Sequence, residues 1–110
     1  MENNHFEGGV YMELFERLYD EYENVKARFV GFTSNDTRYD FGIVFTNMFF
    51  GKPLVICMQT SRSTLLDQKD LEDLDYLQSV FRISSREQAE DLANFFREEL
   101  PEVPFQSQYE

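Results

Sequence analysis

The chain has 110 residues, 42% of them hydrophobic, with twelve Phe and six Tyr; this suits one folded domain and excludes both two independent cores and global disorder. Ten basic residues against 21 acidic ones leave a net charge of −11, a field that opposes nucleic acid and anionic lipid over most of the surface. No stretch approaches the ~20 apolar residues of a membrane span, Met1-Glu2-Asn3-Asn4 lacks a signal-peptide layout, and the single Cys57 has no internal partner, so the composition predicts a soluble cytoplasmic protein.

The predicted boundaries are a flexible extension over residues 1–9, a single domain over 10–100 and a flexible acidic tail over 101–110. From Val10 to Tyr22 the apolar residues Val10, Leu14, Phe15, Leu18 and Tyr22 recur at three- and four-residue steps, which predicts a helix beginning after Gly8-Gly9. Val25 to Thr46 switches to two-residue alternation around the polar turn Ser34-Asn35-Asp36-Thr37, the pattern of an antiparallel hairpin. Gly51-Lys52-Pro53 ends that pattern. Leu54–Gln59 is a third strand whose apolar run Leu54–Met58 predicts burial on both faces.

Leu65, Leu66, Leu71, Leu74 and Leu77 then stand among acids, with Asp70 as N-cap of a short helix, and Ser79-Val80-Phe81-Arg82-Ile83 reads as a fourth strand. Ser84-Ser85-Arg86-Glu87-Gln88 offers a capping box in two registers, Ser84 with Glu87 or Ser85 with Gln88. A long helix follows with Ala89, Leu92, Ala93, Phe96 and Leu100 on its apolar face, and Pro101 stops it.

The order α-β-β-β-α-β-α defines an α+β domain with an antiparallel sheet of about four strands and helices packed on it. The middle strands carry large apolar groups on both faces, grouped as Phe29, Ile43, Phe45 and Ile56 against Val30, Phe32, Val44 and Val55, more than one helical layer covers. A homodimer is the expected solution. In topology alone the order resembles the small acidic homodimeric chaperones of type III secretion.

Charge is divided as sharply as structure. Residues 1–24 carry seven acids and one base, net −6; residues 25–66 carry two acids and five bases, net +3; residues 67–110 carry twelve acids and four bases, net −8. A basic, aromatic sheet thus lies between acidic ends.

Arg28-Phe29-Val30-Gly31-Phe32, Tyr39–Val44 and Thr46–Val55 resemble a family of small cytosolic proteins of Gram-positive bacteria catalogued as a domain of unknown function. The likeness continues through Arg86–Leu100 and brings no catalytic or binding residues with it.

Catalytic constellations are missing from the sequence. Its only histidine, His5, lies in the N-terminal extension, and its five glycines form no phosphate-binding loop. Cys57 sits in an apolar strand without a histidine partner, as a buried inert thiol does. The acids Asp67, Asp70, Glu72, Asp73 and Asp75 lack the turn glycine of a calcium loop and read as a solvated helix start. No metal or cofactor is expected.

Met48, Phe49, Phe50 and Lys52 form the candidate interaction loop, because aromatics beside a Gly-Lys-Pro break need either a core or a partner. Arg28, Arg38 and Arg62 are candidate anion-binding residues, with Asp40 as a possible base. The same arginines with Lys52, interleaved with Phe29, Phe32, Tyr39 and Phe41, carry the ingredients of a single-stranded nucleic-acid platform, which the net charge opposes. The reading favoured by the sequence is a non-catalytic homodimeric protein-interaction or regulatory module; a small anionic-ligand binder or enzyme and a nucleic-acid binder are the alternatives.

Overall fold

The computed structural model describes residues 14–102. Four strands form one antiparallel meander in the order β1-β2-β3-β4: β1 (Lys26–Ser34), β2 (Thr37–Phe45), β3 (Leu54–Cys57) and β4 (Ser63–Leu65). A 3-10 turn over Lys69–Glu72 leads into α1 (Leu74–Val80) and then α2 (Arg86–Glu99). The protein is therefore α+β, with the strands first and the helices last.

Asn35 and Asp36, at φ 52° and 64°, give the left-handed two-residue turn that matches the twist of β1 and β2. The turn fixes the register, pairing Val30 with Phe41, Phe32 with Tyr39 and Phe29 with Gly42. Ile43 pairs with Val55 and Val44 with Leu54 on the next strand. One sheet face consequently holds Val30, Phe32, Tyr39, Phe41, Ile43, Phe45, Val55 and Cys57, and both helices pack on it.

At the centre of that face Phe41 meets Phe81 after α1 and Phe96 of α2 edge-on, at ring separations of 5.4 Å and 5.0 Å. Phe32 stacks on Phe95 at 4.5 Å along the margin. Helix α2 buries Ala89, Leu92, Ala93 and Phe96, its predicted face, and Ser85 caps it by accepting the Gln88 N–H, the second of the two predicted registers. The buried Gln88 side chain holds the far end of the hairpin: its Nε2 donates to Ser34 O and Thr37 Oγ1, each at 3.1 Å, while its Oε1 accepts from Ser84 Oγ.

Several elements differ from the periodicity. The helix predicted over Val10–Tyr22 is not formed in its described part: residues 14–25 are irregular and exposed, and residues 10–13 lie outside the described residues. An isolated helix of that length is marginal in water without a surface to pack on. Ser79–Ile83 is not a strand. Leu77 and Phe81, four residues apart and both buried, continue the helical period, and Arg82 at φ 57° closes α1 as Ile83 N–H donates to Gln78 O and Arg82 N–H to Ser79 O.

The fourth strand is instead Ser63–Leu65, entered through a turn with Ser61 at φ 64°. Asp73 rather than Asp70 caps α1, accepting the Tyr76 N–H. The third strand is shorter than predicted and buried on one face only: Val55 and Cys57 are buried, Leu54 and Ile56 half-buried. The predicted face groupings are corrected as well, because the observed register places Phe29, Val44 and Ile56 together and sets Val30, Phe32, Phe45 and Val55 opposite them. The extension over residues 1–9 lies outside the described residues, as does residues 103–110 of the tail.

Two substitutions test this account. Gln88→Leu strips the donors from Ser34 O and Thr37 and is expected to lower stability by about 2 kcal/mol in urea unfolding. Arg82→Gly relieves the left-handed cap and is expected to raise it by roughly 0.5–1 kcal/mol, the helix-stop conformation being native to glycine.

Candidate functional site

The opposite sheet face is the most unusual surface of the molecule. Ala27 and Phe29 of β1, Val44 of β2, Leu54 and Ile56 of β3 and Leu65 of β4 share it, and among the described residues no helix lies over it. Gly42 forms its floor. Phe29 and Met58 close over that glycine, for a Cβ there would stand 2.9 Å from Met58 Cε and 3.2 Å from the Phe29 ring. Phe29 nonetheless remains 77% exposed. Towards the hairpin end the face turns polar: Asp40 accepts from Arg38 Nε at 2.9 Å and from Gln59 Nε2 at 2.7 Å, beside a shallow cleft of about 510 Å³ bordered by Gly31, Thr33 and Arg38.

The β2–β3 connection forms a second apolar projection. Phe49, Phe50 and Gly51 have φ of 55°, 64° and 73°, three consecutive left-handed residues, two of them aromatic. Each non-glycine residue in that region costs on the order of 1 kcal/mol. Phe50 is 79% exposed, so burial of its ring does not offset the strain. Gly51 N–H donates to Met48 O and Lys52 N–H to Phe49 O, closing the turn.

Glu23 clamps the base of this loop. Its carboxylate accepts from Thr46 Oγ1 at 2.5 Å and from the Asn47 N–H at 2.7 Å, and Thr46 Oγ1 in turn accepts the Met48 N–H. The bond from Thr46, followed by that from Asn47, holds the Glu23 carboxyl below its ordinary value of 4.5. The same clamp fixes where the segment preceding β1 leaves the body.

The candidate interaction loop is thus divided: Phe49 and Phe50 project, Met48 is half-buried, and Lys52 is engaged, its Nζ standing 2.9 Å from Asp70 Oδ2 and 3.8 Å from Asp67 Oδ2. The hydrogen bond to Asp70 raises the Lys52 pKa. Asp67 and Asp70 also bond each other's backbone N–H, and Asp75 pairs with Arg86, so these acids are used as caps and ion pairs. Among the described residues no group of His, Cys, Asp and Glu could hold a metal ion.

The three arginines are not brought together. Arg28 lies on the helix-bearing face and reaches Glu99 at 2.7 Å; Arg38 is on the open face with Asp40; Arg62 donates from Nε to Val80 O at the end of α1. Asp40 is a poor base, since the bonds from Arg38 and Gln59 hold its carboxyl below the usual range. Phe32, Tyr39 and Phe41 point into the core, which leaves Phe29 alone of the proposed stacking aromatics on the open face. Cys57 is buried among core residues. Sequence reasoning missed Phe29 with Met58 as the centre of an open patch, and Glu23 as an anchor, because one acid among seven near the N-terminus carries no distinguishing pattern.

Among the described residues, a four-stranded meander with helices on one face and an apolar face without helical cover on the other defines an α+β protein. The chain matches the SAV0927-like family model over residues 18–98 and belongs to that family, one of unknown function. A search of curated proteins returns no match. No helix among the described residues is long and apolar enough to cross a membrane.

Two measurements probe the loop. The Asn47 amide resonance is expected to hold its hydrogen-bonded shift above pH 4.5, where Glu23 is ionised in either state, and to lose it as pH falls through the lowered Glu23 value; Glu23→Gln should abolish that titration. Phe50→Gly is expected to raise stability by roughly 0.5–1 kcal/mol, which identifies the aromatic as retained against the preference of the backbone.

Proposed function

We propose that this member of the SAV0927-like family is a non-catalytic cytoplasmic protein-interaction module that works as a homodimer through its open sheet face. The observation carrying the proposal is the uncovered patch centred on Phe29 and Met58, flanked by Val44, Leu54, Ile56 and Leu65. Contiguous apolar surface of this kind costs solvation free energy in a monomer and marks an interaction site. A two-fold axis lets the same patch serve both copies. Phe49 and Phe50, presented on a strained and clamped turn, are the second contact, available to a regulatory partner of the dimer.

The geometry favours the anionic-ligand and nucleic-acid readings less, since Arg28, Arg38 and Arg62 each have a partner and, of the stacking aromatics, Phe32, Tyr39 and Phe41 face the core while Phe29 alone is exposed. The resemblance to cytosolic proteins of Gram-positive bacteria agrees with an assembly formed in a reducing compartment, where the Cys57 thiol stays free.

Sedimentation velocity at micromolar concentration is expected to show a species of twice the chain mass. Phe29→Asp combined with Met58→Asp, both at exposed positions, should convert it to a folded monomer with unchanged circular dichroism. A monomeric wild-type protein would overturn the homodimer. Phe49→Ala with Phe50→Ala is expected to leave dimerisation intact and to remove protein partners recovered by pull-down with the wild type; an unchanged set of partners would sink the role given to the turn.

A further inference from the structure

The segment preceding β1 is as unusual as the face it lacks. Leu14, Leu18 and Tyr22 are 95%, 85% and 100% exposed, and Phe15 and Tyr19 are more than half exposed. Tyr22 stands one residue before the Glu23 clamp and is fully solvated, so the chain leaves its own body at the anchor. The departure is next to β1, the edge strand of the sheet.

We propose that the Leu14–Tyr22 arm of each protomer lies across the open sheet face of the other, the two copies exchanging arms; this rests on the homodimer reading and names the element that closes it. Leu14, Leu18 and Tyr22 fall on one side of the segment in either backbone form, being even-numbered along an extended strand and four residues apart on a helix. The row is therefore ready to meet Phe29, Val44, Leu54 and Ile56. Nine extended residues reach about 30 Å, whereas four strands at roughly 4.8 Å spacing are under about 20 Å wide, so the arm is long enough to cross the sheet.

Reception by the partner relieves two exposures at once: the arm's apolar row and the partner's bare face. It also explains why the predicted amphipathic periodicity of this segment finds no surface among the described residues of its own chain.

Complementation tests the exchange. Leu18→Asp spoils the arm and leaves the face; Phe29→Asp spoils the face and leaves the arm. Each variant alone is expected to sediment as a monomer, because both of its arm-face contacts are spoiled. Their equimolar mixture is expected to recover dimer, one intact arm meeting one intact face, and a mixture that stays monomeric would overturn the exchange. As an independent measurement, removal of residues 1–22 is expected to weaken dimerisation at least tenfold. An unchanged dissociation constant after that removal overturns the arm proposal while leaving the homodimer standing, whereas a monomeric wild-type protein removes both.

Discussion

Everything in this fold depends on Phe41. Its ring is the point where the middle of the sheet meets both helices, edge-on to Phe81 from the end of α1 and to Phe96 from α2. Aromatic edges packed against a π-face supply orientation as well as burial. Because both partners come from the same side, the helices are gathered on one face and the opposite face receives no helix from the described residues. The one-sided sheet and the apolar patch are thus two results of a single packing choice.

That choice was only partly legible. The hairpin could be read from alternation and the Asn35-Asp36 turn, and α2 from Ser85, Gln88 and the row Ala89, Leu92, Ala93 and Phe96, since each signal is local and repeats over several residues. β4 could not be read, because Ser63-Thr64-Leu65 is too short to show a period and owes its conformation to pairing with β3. Val80, Phe81 and Ile83 misled for the opposite reason. Their β-branched and aromatic character outweighed, on paper, the four-residue spacing of Leu77 and Phe81 that the core selects.

The candidate site shows the same division. Met48-Phe49-Phe50 stood out because aromatics at a glycine break violate turn composition, and two of the three do project. The patch around Phe29 was hidden in its own regularity: alternation shows that two faces exist, and only the register, set by the turn and read across to Gly42, shows which residues share one. An excess of apolar groups over what the helices cover was nevertheless visible from counting alone. The charged candidates are not gathered into one cluster, since strand direction sends Arg28, Arg38 and Arg62 to Glu99, Asp40 and the end of α1.

The placement of Phe81 and Phe96 has a consequence for the order in which the protein is made. The meander ends at Leu65, so all four strands precede in the chain both rings that pack on Phe41. A sheet that forms before its helices dock is bare on both sides and bounded by the unpaired nine-residue edge of β1. Such intermediates self-associate readily. The vulnerability belongs to the sequence order of the elements and not to the stability of the finished fold.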